Sequence, residues 1–341
     1  VRALSYTRPG GPLELGEVPD PVCPPDGVVV RVRATGVCRS DWHAWQGHDP
    51  VPLPMVPGHE FAGTVVEVGP QVSGWSTGDR VTAPFVQGCG RCRWCADGDA
   101  QVCPDQVQPG FTQPGSFAEL VTVRAAALNL VALPDAVDDV SAAALGCRLA
   151  TAYRALTEHG RLRPGQWLAV HGCGGVGLSA VLVGRALGAR VVGVDVSPAA
   201  RQRAAELGAT VLAPGEGVAL LDLTDGGAHV AVDAVGSAGT LEASVRSLRR
   251  RGRHVQIGLL LGERAAPPVP MDLVVAHELS LLGSHGMAAA GYPELLALVA
   301  EGSLRPAELV GRVVGLDEAA DALAAMSGPT TAAGTTVVRL G

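Results

Sequence analysis

The 341-residue sequence predicts an α/β protein made of a barrel-like β domain and a doubly wound parallel sheet. Three observations carry that prediction. Short β-prone runs broken by Gly and Pro fill the chain up to Thr82. From Gln166 onward, strand-like and helix-like runs alternate. A glycine loop, Gly172 to Gly177, lies between the first of those strands and the first of those helices.

Composition narrows the class. Hydrophobic residues are 47% and charged residues 17%, enough for a sizeable core in about two domains. No apolar run reaches about 18 residues without charge, so no membrane span is expected. The opening Val1-Arg2-Ala3-Leu4-Ser5-Tyr6 holds no apolar signal-peptide core, and a soluble cytoplasmic protein is expected. A net charge of −7 argues against nucleic acid and anionic membranes as partners. All 26 basic residues are Arg, which excludes Lys Schiff-base and Lys general-base chemistry. Of eight Cys, four fall within fifteen positions. That crowding suits metal binding in a reducing compartment better than a secreted disulfide framework.

In chain order, Val28-Val29-Val30-Arg31-Val32 reads as a strand. The stretch Gly36 to Glu60 then concentrates chemistry: Cys38, Ser40, Asp41, His43, His59 and Glu60. Cys and neutral His are favoured zinc ligands. Cys38 and His59 are read as holding a catalytic zinc, with Ser40 and His43 moving a proton beside it. A buried thiol and two surface imidazoles in a Pro-rich loop is the plainer alternative. Thr64 to Gly69 reads as a strand, and Gly78-Asp79-Arg80-Val81 as a turn into another.

Cys89, Cys92, Cys95 and Cys103 can close a tetrahedral thiolate shell with no open position, a structural zinc or an iron–sulfur cluster. Asp138 to Glu158 reads as helix. Trp167 to His171 reads as a strand, followed by Gly172, Gly174, Gly175, Val176 and Gly177, a helix, and a second strand ending at Asp195. In that context the loop and helix N-terminus suit a pyrophosphate, and Asp195, eighteen residues past Gly177, suits ribose hydroxyls. A helix over 240–250, strands at His254–Gly258 and near Leu279–Ser284, two helical stretches in the tail and a closing strand at Thr336–Leu340 complete the reading.

These residues together resemble the zinc-dependent alcohol dehydrogenases of the medium-chain dehydrogenase/reductase superfamily. The likeness rests on Gly36-Val37-Cys38, Gly58-His59-Glu60, the four-Cys lobe, Gly146-Cys147 and the glycine loop, in the family's order. It implies a GroES-like β-barrel catalytic domain (1–148 and 287–341) and a Rossmann domain (149–286). It implies a catalytic zinc on Cys38, His59 and Cys147, and a structural one on the lobe, two per chain. Ser40 and His43 match the proton relay, Asp41 the carboxylate orienting His59, and Glu60 a transient ligand behind the metal. Thr151, Ile257 and Leu259 match nicotinamide contacts, and Arg201 is nearest to the family's basic residue near the adenosine.

The implied reaction is interconversion of an alcohol and its aldehyde or ketone, with NAD expected over NADP. A homodimer or homotetramer is expected, with Ser280-Leu281-Leu282 or Leu259–Leu261 at its edge. A polyol or threonine-type dehydrogenase, a zinc-free reductase and a non-catalytic nucleotide-binding protein are the alternatives. Trp42, Trp45, Phe85 and Leu259 either line an apolar substrate pocket or pack the β domain. Thr335 stands where the family usually carries a basic residue, and Cys23 and Cys173 receive no role.

Overall fold

A computed structural model describes residues 1–260, 262, 265–328 and 334–341. Leu261, part of the expected edge, lies outside the described residues. The chain divides into two compact units, Val1–Ala150 with Gly286–Gly341, and Thr151–His285. Among the described residues no helix is long and apolar enough to cross a membrane.

The first unit is organised on strand Val28–Gly36. Its residues alternate buried and exposed from Val30 to Arg33, as a half-buried strand should. It pairs antiparallel with Glu60–Val68, Leu120–Val123 and Thr335–Arg339. Further strands, Arg80–Thr82 and Val131–Ala132, extend the sheet on one side. Val310–Val314 extends it on the other, parallel to Thr335–Arg339. That last strand was not legible in the tail, because Arg312 and the flanking Gly residues mask its apolar run. Tyr6, Phe61, Phe117, Val81 and Leu323 are fully buried in the core beneath this sheet. Trp45 belongs to that core too and donates its indole N–H to the Gly11 carbonyl at 2.9 Å. It is therefore a packing residue.

The second unit is a six-stranded parallel sheet. Across it the strands run Thr210–Leu212, Arg190–Val194, Trp167–His171, Ala228–Asp233, Leu248–Gln256 and Ser280–Gly283. The order reverses at Trp167–His171, where a doubly wound sheet opens its ligand crevice. Helix Gly175–Ala186 follows that strand directly. The expected helix 240–250 is shorter, Ala238–Arg246, and the next strand starts already at Leu248. The run Leu248-Arg249-Arg250-Arg251 has helix-forming composition, but Leu248 pairs with Ala228 and pairing resumes at Arg253, so the arginines lie in an irregular stretch of the strand where Arg251 takes a left-handed φ of 63°.

Candidate functional site

Two clusters of metal-ligating side chains form among the described residues, both within the first unit. One is Cys89, Cys92, Cys95 and Cys103; the other is Cys38, His59, Glu60 and Cys147. In each, the potential ligand atoms all lie within 4.8 Å of one another. Cys38 and Cys147, 109 positions apart, are thus brought together by the fold, which spacing alone could not do.

In the lobe, Cys92 Sγ is 3.5 Å from Cys95 Sγ and 3.7 Å from Cys103 Sγ. Asn129 anchors the lobe's start: Gly88 N–H donates to its Oδ1 at 2.9 Å and its Nδ2 donates to the Gly88 carbonyl at 3.0 Å. Backbone N–H groups of Arg91 and Cys92 hold the Cys89 thiol down to about 6, whereas burial pushes Cys95 up to about 12. Four converging sulfurs, with no carboxylate or imidazole among them, fit a closed tetrahedral metal site.

The second cluster is assembled by three short segments. The first is the end of strand Val28–Gly36, which runs into Cys38 at the N-cap of helix Arg39–Trp45. The second is His59-Glu60 at the start of a strand. The third is a kinked π-helical turn, Leu145–Leu149, where Gly146 departs from helical geometry (φ −28°, ψ −107°). The helical run expected over 138–158 is present but broken at that kink, and the kink turns the Cys147 and Arg148 N–H groups onto Glu60 Oε1, at 3.0 and 3.2 Å.

Asp41 is fully buried and ties the first two segments. Its Oδ1 accepts from His59 Nδ1 at 2.8 Å and from Gly58 N–H at 3.0 Å, and its Oδ2 accepts from Cys38 N–H at 3.0 Å. That bond puts the ring proton on Nδ1 and leaves Nε2 as a lone pair. His59 Nε2 is buried without a hydrogen-bond partner. A buried imidazole nitrogen left unpaired is costly, and here it stands beside two thiols. Phe85 and Phe111 stand edge-on to the same ring, with centroids 6.0 and 5.3 Å away. The Cys147 thiol's hydrogen bond draws Cys38 well below the ordinary thiol range. Burial resists charge on His59, but Asp41 and then Cys38 raise its pKa, so Nε2, a lone pair in the neutral ring, sits where a cation, proton or metal, is favoured. Two sulfurs and an orphaned imidazole nitrogen, oriented by a buried carboxylate, fit a three-ligand metal site with an open position.

Glu60 is the cluster's fourth member, yet its carboxylate is taken. Besides the two backbone donors, Arg148 Nε reaches Oε1 at 3.1 Å and Arg148 Nη2 pairs with Oε2. Arg148 Nη1 also donates to Thr335 Oγ1 at 3.1 Å. Sequence reasoning missed Arg148. The signal was there: a charged residue directly after a ligand-type Cys, in a chain whose closing strand lacks the usual cation. The guanidinium now occupies the surroundings of Thr335.

Ser40 and His43 share helix Arg39–Trp45, three residues apart and so on one face. Ser40 Oγ lies 3.8 Å from Cys38 Sγ. His43 Nδ1 lies 3.1 Å from His48 Nδ1, a partner the sequence did not suggest.

In the second unit, Gly172 adopts φ 94°, and a Cβ on Gly177 would sit 1.7 Å from the Gly172 carbonyl oxygen. Only glycine lets the helix start so close to the strand. Asp195 Oδ2 accepts from Cys173 N–H at 2.7 Å and its Oδ1 from Ser197 N–H at 2.7 Å. Cys173 thus contributes its backbone, while burial pushes its thiol up to about 12 and leaves it inert. Arg201 Nη1 donates to the carbonyls of Asp195 (2.6 Å) and Val196 (3.2 Å). Thr151 and Ile257 are buried, and Leu259 is exposed.

Residues 24–135 match the alcohol dehydrogenase GroES-like domain family, and residues 175–301 match the zinc-binding dehydrogenase family. An alcohol dehydrogenase of Geobacillus stearothermophilus is 35% identical over 300 residues, covering 86% of this chain and 87% of the relative. The chain belongs to the zinc-type alcohol dehydrogenases of the medium-chain dehydrogenase/reductase superfamily. It is accordingly an oxidoreductase acting on alcohols. Among solved structures, the alcohol dehydrogenase TADH from Thermus sp. ATN1 superposes with a TM-score of 0.93 at 30% identity, with all of both chains covered. An NAD-dependent alcohol dehydrogenase superposes with a TM-score of 0.88, also at 30% identity and with all of both chains covered.

Proposed function

We propose that the chain interconverts an alcohol and its aldehyde or ketone with NAD, at a catalytic zinc on Cys38, His59 and Cys147. The orphaned, Asp41-oriented Nε2 of His59 beside two thiols carries this reading. When bound, zinc supplies a Lewis acid and the nicotinamide a hydride carrier. The chain's own part is positioning and proton movement. Asp41 fixes the His59 tautomer. Ser40 accepts the proton leaving the alcohol hydroxyl, and His43 carries it toward solvent. In the reducing direction Ser40 returns a proton to the carbonyl oxygen. The lobe of Cys89, Cys92, Cys95 and Cys103 holds a second, structural zinc. Reduced thiols at two metal sites suit a reducing cytoplasm. Elemental analysis of purified protein should give about two zinc ions per chain. Cys38→Ser should lose turnover and keep the fold, whereas Cys92→Ser should mainly lose stability, because a structural metal is linked to folding. An active protein without zinc contradicts the proposal.

The Gly172, Gly174, Gly175, Val176 and Gly177 loop would cradle the coenzyme pyrophosphate, with Thr151, Ile257 and Leu259 toward the nicotinamide. NAD is preferred over NADP because Asp195 offers a carboxylate to a ribose diol and would repel a 2′-phosphate. Arg201, spent on two backbone carbonyls, does not offset that charge. Asp195→Gly should move the kcat/KM ratio toward NADP. A wild-type enzyme faster with NADP contradicts the assignment.

The homo-oligomer is proposed to form through edge strand Ser280–Gly283, whose Leu281 is partly exposed. An open edge of this kind calls for a defined partner, and two-fold symmetry would close it. Light scattering should give a dimer or tetramer mass; a monomer at micromolar concentration rules the interface out.

A further inference from the structure

We propose that His48 takes the proton that His43 gives up, so that the relay of this chain ends on a pair of imidazoles. The inference rests on the relay reading of Ser40 and His43 and extends it by one group. The two Nδ1 atoms lie 3.1 Å apart. A neutral imidazole carries a single ring proton, so a bond between two Nδ1 atoms needs one of them to bear it.

The contact is built by the backbone. Helix Arg39–Trp45 ends at Gln46, and Gly47 turns the chain back with φ 77°. His48 N–H then donates to the His43 carbonyl at 2.9 Å. Trp42 stands edge-on to both imidazoles, with centroids 5.0 and 5.3 Å away, and is itself held by a 2.8 Å bond from Nε1 to Ser327 Oγ. His43 is half-buried and His48 is exposed. The inner ring is therefore less open to water than the outer one.

The bond sets what His43 can do. When His43 is the donor of that Nδ1–H, it keeps Nε2 as a free lone pair. A proton arriving at Nε2 makes an imidazolium. Its Nδ1–H bond breaks as a new N–H bond forms at His48 Nδ1. His43 is left neutral with its proton on Nε2, and His48, now the cation, loses its Nε2 proton to water. Electron pairs stay on nitrogen throughout, so no oxidant or reductant is needed. The resulting tautomer pair is the one that delivers a proton in the reducing direction, and both rings exchange protons with water between turnovers to restore the starting pair.

The charges around His43 favour the hand-off. Burial lowers its pKa first, then His48 and Arg39, while Cys38 and Asp49 oppose them. Arg39 and Cys38 act from its own helix and N-cap, and His48 and Asp49 from the following loop. The segment that packs on Trp42 and Arg39, Met326-Ser327, presents a carbonyl and a hydroxyl.

The test is stopped-flow proton release, read by an indicator dye in weak buffer. It uses zinc-loaded protein, NAD and the fastest alcohol of a small panel. His48→Gln should slow release about tenfold, a fraction of what general acid–base groups contribute. Added imidazole should restore it, with zinc content and alcohol KM unchanged. Release at the wild-type rate overturns the proposal. So does a slow release that imidazole cannot rescue, which would make His48 a loop prop. His43→Gln separates the two readings. If it slows release and His48→Gln does not, the relay stands and the imidazole pair falls. If neither slows release, the relay reading falls and takes the pair with it.

Discussion

The buried ion pair of Glu60 and Arg148 is the constraint on which the candidate site depends. Each of the three proposed ligands is a chain neighbour of something packed on it. Glu60 follows His59, and Arg148 follows Cys147. Gly36 sits two residues before Cys38, and a Cβ there would lie 2.3 Å from Glu60 Oε2. A Cβ on Gly146 would lie 2.6 Å from that of Glu60. Glycines thus let two of the ligand-bearing segments close on a charged core rather than an apolar one. Removing one member of such a pair typically costs about 3–5 kcal/mol, because the other is left charged and dry. Thr335 then joins the closing strand to the same guanidinium.

This arrangement also divides the labour of the acidic residues. Asp41 and Glu60 are both fully buried, yet they do different things. Asp41 spends its oxygens on His59 and on the backbone of two ligand segments, which fixes an imidazole. Glu60 spends its oxygens on Arg148 and on the kinked turn, which fixes a thiol. Both are spent on hydrogen bonds within the protein, and a Glu60 oxygen still lies within 4.8 Å of the ligand atoms of Cys38, His59 and Cys147.

Much of this was legible in the sequence, for a physical reason. Metal ligands and glycine turns are specified by residue type, and type is what a sequence displays. Cys38, His59 and the four lobe cysteines stood out in that way, as did Gly172 to Gly177, whereas the lone Cys147 was joined to them only by the family resemblance. What stayed hidden depends on tertiary contact. The strand beginning at Leu248 looked helical because arginines favour helices when unpaired. Trp45 was open between lining a pocket and packing the β domain, and its indole bond to the Gly11 carbonyl places it in the core. Arg148 and His48 carry no motif, and their roles exist only because a kink and a glycine turn bring them to Glu60 and His43.

The most direct test of this account is the electronic spectrum of protein with cobalt(II) at the Cys38–His59–Cys147 site. Because the ligand segments close on the Glu60–Arg148 pair, Glu60→Gln and Arg148→Leu should each shift or broaden the ligand-field bands of the wild-type protein. Bands unchanged in both variants, with cobalt still bound, would contradict the account.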